Sequence, residues 1–278
     1  ESNRHMLIAR ARPLLGTVVS IQVHTDAAEV GHVEEAIVEA FATMARIGQV
    51  MSAHQPESDL GRLSRAREGE VLTLDAHTVR VIRAAQYWSQ LSRGAFNPCR
   101  AALALSRAGM RPGLTGEALG SLHDIAVQTD TDVELTAAVA LDFGGIAKGY
   151  AVDCAIDALS NHGVSSALVN AGGDLRTIGH RRWPIDVRHA HTTLINGRLP
   201  QHTRLQQSAL ATSVAGALNP GFVFTRTQNQ QRWRSVTVQA STCMAADVLT
   251  KWAMQTSLLC PDLRAALRQN HGRMWRTP

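Results

Sequence analysis

At 278 residues the chain has room for one large domain or two small ones, and with 45% hydrophobic residues it can bury a sizeable core. Charged residues make up only 18%, which argues against intrinsic disorder. The net charge of +5 comes without a basic run interleaved with aromatics, so no nucleic-acid partner is expected, whereas an anionic ligand such as a nucleotide is compatible.

Residues 1–5 of the opening "ESNRHM" are read as a cloning remnant, Met6 as a candidate natural start, and residues 6–278 as a single domain. No eighteen-residue apolar span or signal-like segment is visible, so no membrane anchor is expected and a cytoplasmic location follows. The alternation in "GTVVSIQVHT", Gly16 to Thr25, predicts a strand with one buried face that opens the fold. Asp26 is then expected to cap a helix reaching about Met51, with Val30, Val33, Ile37, Phe41, Met44 and Ile47 on one stripe. Asp75 is expected to cap a second helix whose apolar face carries Val79, Ile82, Ala85 and Trp88.

Residues 111–120 read as loop, and "HDIAVQ" and "VELTAAVALDF" as a strand pair leading to "LDFGGIAKGYAVD" and a helix. Beyond Gly163 come the short strands "SSALVNAGGDLRTIG", "WPIDVRH", "LQQSALATSV" and "WRSVTVQAS". Helices over about 242–258 and 262–270 close the chain. The fold class expected is α+β, with a mixed, largely antiparallel sheet and packed helices.

Gly144 and Gly145 sit where a strand meets a helix, a place where unpartnered N–H groups and the helix dipole attract anions. Lys148 adds a full charge one turn in, although paired glycines could equally serve a tight turn alone. Neither a P-loop nor GxGxxG is present. Gly172 and Gly173 in "VNAGGDLRTIG" repeat the device, and the following Asp174 can accept from a ribose or amide. Two bare-backbone turns argue for one long ligand lying across both.

The motifs "GGIAKGYAVD", "NAGGDL", "GAFNP", "ATS" and "SVTVQASTCMAADVL" together resemble the ApbE family of FAD:protein FMN transferases, from "RPLLGT" to about Gln255. The resemblance implies an enzyme that uses Mg²⁺, splits FAD at its pyrophosphate and passes FMN to a threonine of a flavin-acceptor protein, with release of AMP. By the same resemblance Leu15, His54 and Ala95, Phe96 and Asn97 would line the flavin-nucleotide cleft. Gly144, Lys148 and Tyr150 would support the FAD, and the Ala147 carbonyl and Asp247 would be the metal ligands. No residue is singled out as catalytic.

Several positions depart from the family pattern. Lys251 stands four after Asp247 where a threonine is usual, and an ammonium cannot ligate Mg²⁺. It could instead take the ion's place beside Asp247, or be a solvated helix lysine. Val214 replaces a glycine, a histidine- and aspartate-bearing run after it is missing, and His54, Asn97 and Cys99 replace an aromatic, an aspartate and a threonine. The alternatives left open are therefore a flavin-nucleotide-binding homologue with Lys251 in place of the ion, and a pyrophosphatase that gives FMN to water. His189 and His191 read as polar strand residues, and Cys99, Cys154, Cys243 and Cys260 as buried thiols.

Overall fold

The alternating segment after Gly16 forms a strand, β2 (Thr17–Asp26), with Val19, Ile21 and Val23 fully buried. The structure is a computed structural model that describes residues 5–107, 120–187, 202–214, 233–256 and 260–277. An additional strand, β1 (His5–Leu14), precedes β2 and pairs with it antiparallel, so His5 and Met6 both take part in the fold. Leu15 and Gly16 make the two-residue turn at φ 55° and 69°, the left-handed pair that suits the twist of a tight hairpin.

Helix α1 (Val30–Val50) buries Val33, Ile37, Phe41, Met44 and Ile47 as the three- and four-residue spacing predicts. Asp26 does not cap it: that residue ends β2, makes no side-chain cap bond, and a 3₁₀ turn (Ala27–Glu29) intervenes. A short helix, α2 (Asp59–Leu63), and a strand, β3 (Val71–Thr73), lead to α3 (Ala76–Leu91). Here the Asp75 carboxylate does accept from the His77 N–H, at 2.8 Å. Helix α4 (Pro98–Arg107), which the sequence reading did not separate, starts at the proline of "AFNP".

Strands β4 (Ile125–Val127) and β5 (Asp132–Leu135) pair antiparallel, and β3 joins them on the other side of β5. The strand expected to run on to Phe143 stops at Leu135, because beyond it the chain leaves the ladder and turns toward the glycine pair. Helix α5 (Ala147–Asn161) follows, then β6 (Ala167–Ala171) and β7 (Asp174–Ile178) joined by the second glycine pair. The rest comprises β8 (Trp183–Asp186), β9 (His202–Leu205), β10 (Ala209–Val214), β11 (Ser235–Ala240), α6 (Cys243–Gln255), α7 (Pro261–Gln269) and β12 (Arg273–Thr277). His189, His191 and most of the stretch after Val214 lie outside the described residues.

The main sheet runs β1-β2-β6-β7-β10-β11-β12, and among the described residues its neighbouring strands all pair antiparallel. Helices α1, α5 and α6 are part of the main core; α5 packs on α1, α6, β6 and β7, and α6 on β10 and β11. A second, smaller core lies where β8 and β9 cover Leu168, Leu175 and Leu210 with Trp183, Ile185 and Leu205. Strands β6 and β7 are thereby covered on both faces, which fixes the turn between them firmly.

Candidate functional site

The first turn of α5 is where the chain brings its distant motifs together. Ahead of it, Ile146 and Ala147 donate their N–H groups back to the Phe143 carbonyl, while Gly144 N–H is taken by the Asp142 carboxylate at 3.0 Å. Gly149 is the residue that lets α6 approach. A Cβ there would lie 2.5 Å from the Cys243 carbonyl oxygen and 2.8 Å from Met244 Cα, both backbone atoms. The approach is held by Asp153, one turn further along α5, whose carboxylate accepts from the N–H groups of Cys243 and Met244 at 2.9 and 2.8 Å. It thus caps α6 from a neighbouring helix.

The second glycine turn reaches the same place. Gly172 and Gly173 adopt φ of +68° and +108°, and Gly173 N–H donates to Asn170 Oδ1 at 2.9 Å. A Cβ on Gly172 would meet Thr17 Oγ1 at 2.5 Å, so this turn nests against the start of β2, beside Leu15 and Gly16. From its end, Asp174 faces Lys148, and the Nζ to Oδ2 distance is 2.8 Å. The two glycine turns are therefore joined by an ion pair.

Asp247 on α6 completes the cluster. Its Oδ2 accepts from Gly149 N–H at 3.3 Å, and its Oδ1 from the Lys251 ammonium at 2.8 Å. Lys251 also donates to Ser213 Oγ on β10 and, at 3.3 Å, to Thr250 Oγ1. It is 6% exposed, so the reading as a solvated surface lysine does not hold. Burial pushes the Asp174 carboxyl above the usual range, with Asp247 nearby adding to the effect and Lys148 and Lys251 opposing it. Burial alone would lower Lys148, yet Asp174 and Asp247 together hold it well above its ordinary value, so it stays charged.

Beside this cluster opens a cavity of about 550 Å³, within the range of small-ligand sites, lined by Leu15, His54, Gly144, Ala147 and Lys148 among others. Leu15 reaches it from a left-handed backbone, an uncommon conformation for a large side chain, and packs over Gly48 of α1. Not every residue implied by the resemblance lies on its wall. Phe96 is buried in the main core, and Asn97 accepts from the N–H groups of Cys99 and Arg100, capping α4. That cap still touches the site's frame, since Pro98 O accepts from Asp142 N–H. The Tyr150 hydroxyl faces α3, 2.8 Å from His77 Nδ1.

Asp153 and Ser213 were assigned no task by the sequence reading, although both lie inside quoted motifs. The signal was available at Asp153: one carboxylate among the buried Ala151, Val152, Ala155 and Ile156 demands partners. Cys99 and Cys243 are buried, but Cys154 and Cys260 are only half-buried, a correction to the expectation for all four. Burial pushes the Cys99 thiol up to about 12 and Cys154 to about 11, poor values for nucleophiles. Among the described residues, no group of three or more His, Cys, Asp or Glu is arranged to hold a metal, and no helix is long and apolar enough to cross a membrane.

Comparison with known proteins places these features in a family. A FAD:protein FMN transferase of Treponema pallidum is 26% identical over 215 residues, covering 66% of this chain and 59% of that protein. One from Klebsiella pneumoniae is 25% identical over 186 residues, covering 63% and 56%. The chain thus spans less than two thirds of the length of these curated relatives. Among solved structures, the flavin transferase ApbE of Vibrio cholerae superposes with a TM-score of 0.75 at 19% identity, over 98% of this chain and 94% of that one. The apo flavinyl transferase ApbE of Pseudomonas stutzeri gives 0.76 at 21%, over 99% and 91%. These likenesses establish the fold, and the family model itself matches residues 15–219: the chain belongs to the ApbE family.

Proposed function

We propose that the chain is a FAD:protein FMN transferase, which takes FAD as donor substrate and a threonine hydroxyl of a flavin-acceptor protein as acceptor. The observation that carries this reading is the Lys148–Asp174 pair: Lys148 stands with Gly144 on the wall of the 550 Å³ cavity, and Asp174 brings the second bare-backbone turn up behind that wall, off the lining itself. Family membership and the activity for which the two curated relatives are named support it.

In this reading the cavity receives the flavin nucleotide between the Leu15–Gly16 turn, His54 and the head of α5. Gly144, carrying no side chain, lets phosphate oxygens approach the backbone, and Lys148 supplies positive charge from the first turn of the helix. Ala95 to Asn97 and Tyr150 act behind this wall, by fixing α4 and the α3–α5 contact. The threonine oxygen forms a bond to the phosphorus on the riboflavin side as the bridging P–O bond breaks. AMP leaves with the electron pair, and the hydroxyl proton passes to solvent or to the departing phosphate. The chain's contribution is positioning and charge neutralisation, the dominant factors in phosphoryl chemistry.

No step is assigned to magnesium. A divalent ion on Asp247 would have to displace the Lys251 ammonium from Oδ1 and Gly149 N–H from Oδ2, so the residues present do not fit the ion that the resemblance implies. The same observation favours a second reading, a flavin-nucleotide-binding homologue without turnover.

Incubation with FAD and a threonine-bearing flavin-acceptor domain separates the readings. Release of AMP together with a fluorescent acceptor band in a denaturing gel is the expected result. AMP alone would indicate a pyrophosphatase, and saturable FAD binding with neither product a binder.

A further inference from the structure

The cluster behind the cavity has a charge balance of its own. Lys148 and Lys251 face Asp174 and Asp247, with cross-pairs at 2.8 Å in both cases, and Asp174, Asp247 and Lys251 are each at most 6% exposed. Two cations and two anions sum to zero. Adding a divalent ion while Lys251 remains would bury two uncompensated charges, and such charges are not tolerated in a protein interior.

The surroundings of Lys251 are also those of a built cation site. An ammonium carries three donors, and Asp247 Oδ1, Ser213 Oγ and Thr250 Oγ1 offer three oxygens to it. Those oxygens come from two elements, β10 and α6. Thr250 Oγ1 is itself oriented, donating to the Asp247 carbonyl at 2.7 Å. A side chain four positions after Asp247 on the same helix is placed to reach it without distortion, because i and i+4 share a face.

We infer that Lys251 is a resident monovalent cation at this site, and that the chain holds its flavin nucleotide without a divalent metal. The second half rests on the flavin-nucleotide reading; the first half does not. The ammonium is covalently tethered and needs no recruitment, so the positive potential behind the cavity does not vary with the concentration of free metal. Lys148, nearer the cavity wall and one-third exposed, is the cation left to meet the phosphates.

Two measurements on the full chain test this. Mn²⁺ titration followed by electron paramagnetic resonance should show no stoichiometric site in the wild type, and FAD affinity from flavin fluorescence should agree within about twofold between Mg²⁺ and EDTA, because an ion that does not bind cannot couple. Lys251→Thr should gain a Mn²⁺ site that a second change, Asp247→Asn, removes. Stoichiometric Mn²⁺ on the wild type, or FAD binding weakened about tenfold by EDTA, would overturn the inference, as would a correctly folded Lys251→Thr that binds Mn²⁺ no better than wild type. If that variant does not fold, the wild-type titrations decide alone. Absence of FAD binding in either condition would reject the flavin-nucleotide reading, while the Mn²⁺ titration still decides the role of Lys251.

Discussion

Arg176 on β7 donates to Asp153 on α5 at 2.9 Å, and through that one carboxylate the central sheet, α5 and the head of α6 are fastened together. Asp153→Ala would leave the guanidinium and two helix-terminal N–H groups without this acceptor. We expect a loss of about 3 kcal/mol, from an uncompensated charge and lost cap bonds. Urea denaturation measures it, and Asp153→Asn should lose less, since its amide oxygen still accepts. Equal stability of Asp153→Ala and wild type would refute the assignment.

A contrast between two glycines separates framework from cavity wall. Gly149→Ala forces a methyl group against the Cys243 and Met244 backbone, which cannot move without parting α5 from α6. Overpacking of this kind costs about 1–3 kcal/mol. Gly144→Ala meets only the Asp142 side chain, at 2.9 Å, and stands on the cavity. Its melting temperature should stay near wild type while FAD affinity falls, as read by calorimetry and flavin fluorescence. The opposite pattern would show that the roles are exchanged.

Lys148 and Asp174 should not respond alike to mutation. Lys148→Met strands a carboxylate that is 2% exposed, whereas Asp174→Asn strands an ammonium with partial access to water. Lys148→Met is therefore expected to be the less stable of the two, by about 1–2 kcal/mol, and to weaken FAD binding as well. Thermal melts of the pair, side by side, check the order.

The acid limb of stability should report on Asp75. Burial would raise its carboxyl, but the His77 N–H and Arg46 outweigh that and hold it below the ordinary 3.8. A lowered folded value contributes stability above the unfolded value, and that contribution disappears as pH falls through the folded one. The difference in unfolding free energy between wild type and Asp75→Asn should thus level off only at neutral pH and above, where the neighbouring His77 is uncharged, and shrink below the ordinary aspartate range as the Asp75 carboxylate is protonated. A difference independent of pH down to acid unfolding would exclude the charge as its source.

Much of this was legible from local pattern. The stripe on α1, the cap at Asp75, the paired glycines and a largely antiparallel sheet with packed helices follow from local pattern, and the structure reproduces them. What escaped depends on partners far away. β1 is an edge strand with a mostly exposed face and carries no strong alternation, so only its register with β2 defines it. Asp26 has the right residue type for a cap, yet the ladder continues through it. At Asp153 and Ser213 the task lies in elements about 90 and about 40 residues distant, beyond the reach of periodicity. The contact between Lys251 and Asp247, by contrast, is helical and could be anticipated from spacing alone.

The cluster at the head of α5 is built from distant parts of the chain: the β6–β7 turn and α6 touch α5 directly, β10 reaches it through Lys251, and the β1–β2 hairpin nests against Gly172. A surface assembled that way does not exist in any fragment, so competence to bind arises only once those pieces have docked. Flavin binding of the kind proposed would then favour the fully folded chain by mass action. Amide hydrogen exchange at Gly149 on α5 and along α6 should slow together when FAD is added, since the two helices meet at that glycine.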